Sequence, residues 1–525
     1  MLKIRTVRNL LALILVFATM NARSQDLTLN SQTISAPFSI SQEPLRGNFL
    51  PNPGKEIILI GEKEGRGQLA IFAVDTRSGE YELYRHLPID ASYFAFDSDA
   101  ELKVVGKSSI AAQRPLHRLY FLTSTEIIEL QPEQAEQPFQ PLLKVQSIFI
   151  KQSSNYLKRG NFVRYLNHDR HPDFALADFN GLNLYVSSPL QAQGEAKGEA
   201  PVDIGYERQQ LPITPVVEVF ESSVSYTRRK WFLADMNQDQ LADIAWVDDG
   251  KLLVYLASPL GEFSSQAQQV NINSRISGQN WWDTRNADGS NLDQSNLDHQ
   301  NLESMDDING DGIVDLVVRH STSSGVLDRS NDYQVFFGQV SDGSVSFQQQ
   351  PSTVLASDGT VGDIQFIDLN RDARQEVLMS SFDISVSQII GALLSGSVDQ
   401  DVLIYVQDAS SGAFRKSISK EVELTFSLST GKSGAPIVKL ADLNGDGYKE
   451  LILSADENKL KIYAGVNGDK YITNRAQRFS LPLPQNGVFL TSDDLNDDGK
   501  EELLVRYGDE DDAQYHDDLV IISAK

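Results

Sequence analysis

Short apolar runs alternate with polar turns along almost the whole chain. Ile57-Ile58-Leu59-Ile60, Leu69–Val74, Leu119–Leu122, Ile127–Leu130, Trp231–Ala234, Ile244–Val247, Leu316-Val317-Val318, Leu451-Ile452-Leu453 and Leu503-Leu504-Val505 are rich in β-branched, aromatic or leucine side chains. Runs this short, bounded by turn residues, read as strands buried on both faces, because a helix needs ten or more residues. A second pattern follows many of them: an apolar strand with a central aromatic, a glycine turn, then another aromatic. It appears as Val254-Tyr255-Leu256, Gly261, Phe263; Val335-Phe336-Phe337, Gly343, Phe347; and Leu403-Ile404-Tyr405, Gly412, Phe414. Ile462-Tyr463, Gly468, Tyr471 and Ile71-Phe72, Gly79, Tyr81 fit as well. This predicts a third strand, a hairpin turn and a fourth strand, so that each unit is a four-stranded antiparallel sheet.

Between the first and second apolar runs of a unit stands a polar nonapeptide. Its oxygen side chains fall at places one, three, five and nine: Asp235, Asn237, Asp239, Asp243; Asp307, Asn309, Asp311, Asp315; Asp368, Asn370, Asp372, Glu376; Asp442, Asn444, Asp446, Glu450; Asp494, Asn496, Asp498, Glu502. Alternate residues of a tight loop turn toward one point, and Ca²⁺ takes six to eight oxygens at about 2.3–2.6 Å. The spacing therefore predicts about five calcium sites.

Place seven varies freely (Leu241, Ile313, Arg374, Tyr448, Lys500), as a ligand that offers only its backbone carbonyl would. Glycine at place six (Gly312, Gly447, Gly499) suits a sharp turn with positive φ. Gln240 and Ala373 stand there in two copies and predict strain. An EF-hand needs a bidentate Glu at place twelve, where this chain has Trp246, Val318, Met379, Leu453 and Val505.

On these five loops and their strand-like flanks, the chain resembles the FG-GAP/VCBS repeat family, the calcium-loop propeller repeat also found in integrin α-subunit heads. With degenerate copies counted, the resemblance runs over roughly residues 45–525. It implies an all-β fold, a β-propeller of four-stranded antiparallel blades, and bound Ca²⁺. It does not imply an activity, since one fold hosts many functions.

Three further units are degenerate. The first keeps only Asn52 and Glu56, and the second the acids Asp97, Asp99 and Glu101. The third has Asn167, Asp169 and Asp173, with Tyr165 in place of the first Asp, which predicts a weak or empty site. The count predicts eight blades, or seven if the first two units merge. The last unit ends on its third strand, Leu519–Ser523, and the alternating stretch Asp26–Ile40 has no repeat of its own. That N-terminal strand is expected to complete the last blade and close the ring.

Lys3, Arg5 and Arg8, the apolar stretch Leu10–Phe17 and Ala22-Arg23-Ser24 read as a cleaved secretory signal over 1–24. Residues 25–525 then form a single propeller domain, exported to the periplasm or beyond the cell. The apolar core of the signal is too short for a membrane span, and no later segment is long enough. The net charge of −26 argues against nucleic acid and anionic membranes as partners. No cysteine is present, so disulfides, thiolate metal sites and cysteine nucleophiles are excluded. Bound metal is then a natural staple.

All five loops join first to second strands, so they leave one face of the propeller. The connection Ser274–Ser304, with Trp281-Trp282, enters from the other face. Adjacent tryptophans form a stacking platform for a sugar ring or a peptide side chain, or else one caps the core. Insertions at Arg319–Asp332 and Ile384–Gln400, the latter with Ile389, Ile390, Leu393 and Leu394, leave the same face. The expectation is a binding or adhesion scaffold for a protein or carbohydrate ligand on the face opposite the metals. The alternative is a secreted carbohydrate-active enzyme, marked by Arg, Lys, Tyr or His converging in the central channel. His168 and His171, the only close histidine pair, fall in the degenerate third loop.

Overall fold

The computed structural model describes residues 27–525 except 101, 103–115, 149–156, 168, 170, 190–203, 249, 287, 292, 294, 326–327, 358–359, 383–395, 409–411, 428–431 and 469. The proposed signal at 1–24, Glu101, Val104-Val105, His168 and the Ile389–Leu394 cluster lie outside the described residues.

Eight antiparallel sheets follow one another along the chain, and each is a blade. Blade 4 shows the pattern plainly: Trp231–Ala234, Asp243–Asp248, Lys251–Tyr255 and Gln268–Asn271 pair in sequence order. In blade 8, Leu490–Asp493, Glu502–Arg506 and Asp518–Ala524 are completed by Leu29–Ser35, in a register from Leu29 opposite Ala524 to Ser35 opposite Asp518. The N-terminal stretch then goes on to pair Ser39–Ile40 with Glu56–Lys63 of blade 1. It stitches the last blade to the first, and the fold is an eight-bladed propeller rather than the seven-bladed alternative.

The continuous apolar runs are explained by blade stacking. Successive strand residues point to opposite faces of a sheet, and both faces of each blade are covered by a neighbour. Ile58 and Ile60 pack toward blade 2 with Phe96, Phe121 and Ile128, while Ile57 and Leu59 pack toward blade 8 with Leu504, Leu519 and Ile521. In blade 7, Leu451 and Leu453 face blade 6 and Ile452 faces blade 8. Each inter-blade junction has its own buried cluster, so the hydrophobic core is a ring of eight.

Blade 5 departs from the expected hairpin pattern. Gly338–Ser341 and Ser344–Phe347 form a separate two-stranded sheet, and the fourth strand is Thr353–Leu355. The glycine turn and Phe347 therefore mark an inserted ribbon, which reaches back to blade 4: Val345 N–H donates to the carbonyl of Met236 at 2.9 Å. The expected insertion at Arg319–Asp332 is a continuation of the blade's second and third strands, with pairs from Arg319 opposite Tyr333 to Ser323 opposite Arg329. The connection before blade 5 is shorter than expected, because the first strand already begins at Asp298, and Ile276–Ser277 lies parallel to it.

Candidate metal centres and the opposite face

The second strand opens with a buried carboxylate in seven blades: Glu56, Asp173, Asp243, Asp315, Glu376, Glu450 and Glu502. Each accepts the backbone N–H of the residue seven positions earlier. In the five intact loops these donors are Met236, Ile308, Leu369, Leu443 and Leu495, at 2.8–3.0 Å. Phe49 and Leu166 supply the same bond to Glu56 and Asp173. The place-nine acid is thus a hinge-pin for the loop, and satisfying a buried carboxylate with backbone donors is what lets it sit at the mouth of an apolar core. By the same spacing Asn48 occupies place one of the first unit, which sequence reasoning missed because no acid stands there.

Around this pin each intact loop coils on its own oxygens. The place-one carboxylate accepts from the N–H of place six: Gln240, Gly312, Ala373, Gly447 and Gly499, at 2.8–3.0 Å. The place-three Asn carbonyl accepts from place five, and the place-five carboxylate from place seven, in all five. This curl requires positive φ at place six, including Gln240 (+71°) and Ala373 (+69°), and also at place four, with Gln238 (+61°), Arg371 (+63°) and Asp497 (+57°) beside Gly310 and Gly445.

The electrostatics mark the centre of each coil. Burial pushes the place-nine acid up, to about 6 for Asp243 and about 7 for Asp315, Glu376, Glu450 and Glu502, against the lowering effect of backbone donors. The charges of the place-one and place-five acids push each of these five further in the same direction. The acids of places one, five and nine in each loop therefore feel one another's charge, and the place-three Asn adds an amide oxygen to the same coil. That hard-oxygen set fits Ca²⁺, which would draw on places one, three, five and nine and the carbonyl of place seven.

The degenerate third loop differs in an instructive way. The Ser187 hydroxyl lies 2.8 Å from both Asp169 Oδ2 and Asp173 Oδ1, between the place-five and place-nine acids. At place one, the Tyr165 hydroxyl turns away and donates to Asp99 at 3.3 Å. A neutral hydroxyl thus stands between two acids of this loop. His171 takes part through its backbone: its N–H donates to Asp169, and its carbonyl lies 3.4 Å from the Ser187 hydroxyl.

All these loops join first and second strands and leave one face. Among the cavities lined by described residues, two lie on the other face with the inter-blade connections. One, of about 360 Å³, lies between blades 3 and 4 against Phe162, Leu182, Arg228 and Trp231. The larger, about 890 Å³, lies beside blades 7 and 8 and is lined by Pro436, Asn458, Lys459, Pro482, Gln485 and Tyr515 among others. Tyr515 stacks on the buried Tyr507 with ring centroids 4.9 Å apart.

Trp281 and Trp282 are on this face too, in a single 3₁₀ turn. Their rings meet edge to face at 5.3 Å. Neither belongs to a blade core. Arg329 covers Trp281 at 4.5 Å and Arg319 covers Trp282 at 4.4 Å, both from the extended hairpin of blade 5. The tryptophans and the Arg319–Asp332 segment thus form one packed unit, in which arginines occupy a face of each ring.

The class the fold and loops define is an eight-bladed β-propeller with acidic first-to-second-strand loops. A family profile described as an FG-GAP-like repeat matches residues 442–505, which run from the loop after the first strand of blade 7 into the second strand of blade 8 and include two intact loops. No curated protein sequence matches the chain. Among solved structures, a lectin from Agrocybe aegerita that recognises non-reducing terminal N-acetylglucosamine aligns at 12% identity and TM-score 0.37, over 81% of this chain and 92% of its own. The Vibrio cholerae biofilm matrix protein Bap1 aligns at 11% identity and TM-score 0.31, over 94% and 92%. BBS1N, solved in complex with ARL6DN, aligns at 9% and 0.34, over 94% and 97%. Among the described residues no helix is long and apolar enough to cross a membrane.

Proposed function

We propose that this chain is an exported, calcium-stabilised propeller that acts as a binding or adhesion scaffold, with its protein or carbohydrate ligand on the face opposite the metal loops. The observation that carries this reading is the division between the two faces. One holds five coiled acidic loops whose side-chain oxygens accept from their own backbone; the other holds two cavities and the exposed ring of Trp282. Calcium then fixes the scaffold and leaves the opposite face for recognition. The single domain over 25–525 and the signal at 1–24 belong to the same reading, supported by the ring closure and by the cations and apolar stretch near the N-terminus.

The test is thermal unfolding of the mature protein with calcium, with EDTA, and with calcium restored, alongside calcium stoichiometry. A reversible loss of stability on chelation, with about five ions bound, is the expected result. Asp446→Ala should remove one ion of the set, because no neighbouring acid replaces place five. A protein that binds no calcium, or whose melting is indifferent to EDTA, would sink the reading.

A further inference from the structure

The intact loops touch one another in a regular way. At the four junctions between intact loops, place four of one meets place six of the next. Gln238 Nε2 lies 3.5 Å from the Gly312 carbonyl, and a Cβ on Gly310 would stand 2.6 Å from the Ala373 carbonyl. A Cβ on Gly445 would stand 3.2 Å from the Gly499 carbonyl. At the junction of blades 6 and 7 the place-four residue is Arg371, and its guanidinium lies over Gly447, where a Cβ would meet Cζ at 2.2 Å. Only because place six is glycine can the guanidinium lie there. Its Nη2 then reaches 3.4 Å from Asp442 Oδ2, an oxygen of the place-one ligand of the next loop.

The same blade 6 loop sets a second guanidinium against a ligand: Arg374, at place seven, pairs with Asp372 at place five of its own loop. In the loops beginning at Asp235, Asp307 and Asp494, places four and seven carry Gln238 and Leu241, Gly310 and Ile313, and Asp497 and Lys500. Lys500 is the one cation among them, and the ion pairs of the described residues do not join it to a ligand carboxylate.

We propose that Arg371 and Arg374 set the calcium affinity of two of the five sites, Arg371 that of the Asp442 loop and Arg374 that of the Asp368 loop. The sites then divide into three open ones and two restrained ones. The reason is competition: a divalent ion entering between the carboxylates must displace, or bind beside, a cation already paired with one of its ligands. The same cation steadies the empty loop by offsetting the mutual repulsion of its acids. Arg371 is 67% exposed, so it can swing into water when the ion arrives, and the penalty is a modest one. The proposal rests on the calcium reading above.

The experiment is a calcium titration of the full mature chain against a chromophoric chelator, on the wild type, Arg371→Gln and Arg374→Gln, with thermal unfolding of each in EDTA. The wild type should show two classes of site. Arg371→Gln should tighten one of the weaker ions about three- to tenfold and lower the melting temperature of the calcium-free protein, and Arg374→Gln should do the same for the other. These two effects have opposite signs, whereas loss of a merely structural arginine would weaken both. Unchanged or weaker calcium binding in Arg371→Gln, with wild-type binding intact, would overturn the assignment of Arg371. Absence of calcium binding in the wild type would instead overturn the reading on which it rests.

Discussion

Thr33 lies directly opposite Val520, within an antiparallel ladder that joins the first and last described strands. Beside it Ile34 is 5% exposed and packs with Leu519, Leu504 and Ile57, in the core between blades 8 and 1. The ring therefore closes through side-chain burial as well as backbone pairing. Ile34→Ala is expected to cost about 2–4 kcal/mol, measured by urea unfolding, and to do so equally with calcium and with EDTA. The exposed Asn30, on the same strand, should tolerate Ala within about 0.5 kcal/mol. A small effect at Ile34 would mean that the ring holds without its closing strand.

Ala373 and Gln240 adopt left-handed backbone at +69° and +71°, where the other intact loops have glycine. A Cβ in that region costs about 1–2 kcal/mol. Ala373→Gly and Gln240→Gly should each stabilise the protein by about 1 kcal/mol, the strain relieved being partly offset by greater freedom of the unfolded chain. Gly312→Ala, at +81° with open space around it, should destabilise by a similar amount. Stabilities that fail to rise for both glycine variants would show that place six is not where the loop is strained.

These loops also show what the sequence makes legible. The spacing of the loop acids and the strand flanks are local, so five coils, their common face and the blade count follow from reading along the chain. Place four was hidden, because its left-handed φ is carried by Gln238, Arg371 and Asp497 as well as by glycine, and the need for it arises from the coil's hydrogen bonds. Contacts across blades were hidden for a different reason. Arg371 meets Asp442 only because two loops 71 residues apart are brought side by side by blade stacking. Phe347 was misassigned because an aromatic after a glycine turn marks any hairpin, and an inserted ribbon satisfies the pattern as well as a fourth strand does. The pairing of Trp281 and Trp282 with Arg329 and Arg319 likewise depends on strand extension in blade 5, which carries no periodic signal of its own.

His320 stands on that extension with its Nδ1 3.1 Å from Asp332 and its Nε2 2.9 Å from Asp298. The hydrogen bond to Asp332, joined by that to Asp298, raises its pKa against the lowering effect of burial. Arg275 also pairs with Asp298 and competes for it. A raised folded-state pKa means that the stabilisation is fully present below the unfolded histidine value, about 6.5, and is lost as pH rises through the folded value. The stability difference between wild type and His320→Gln should therefore favour the wild type at about pH 5.5 and shrink by about pH 8.5, by under about 1 kcal/mol. A difference that grows with pH would mean the neutral imidazole is the form the site prefers.

Ser187, 2% exposed, provides the last test because its hydroxyl stands against two acids of the degenerate third loop. Its backbone N–H donates to Asp173 at 2.7 Å and its hydroxyl lies between Asp173 and Asp169. Burial, opposed by those donors and that of Leu166, pushes Asp173 up to about 6. Ser187→Ala keeps the backbone bond and removes the hydroxyl, so a buried carboxylate loses one partner, at a cost of about 1–3 kcal/mol. The loss should be the same in calcium and in EDTA, because Tyr165 still stands at place one and leaves the loop short of a carboxylate. If the variant instead gains an ion and recovers its stability in calcium, the hydroxyl rather than the tyrosine is what keeps the third loop metal-free, and Asp169, Asp173 and Asn167 suffice as side-chain ligands.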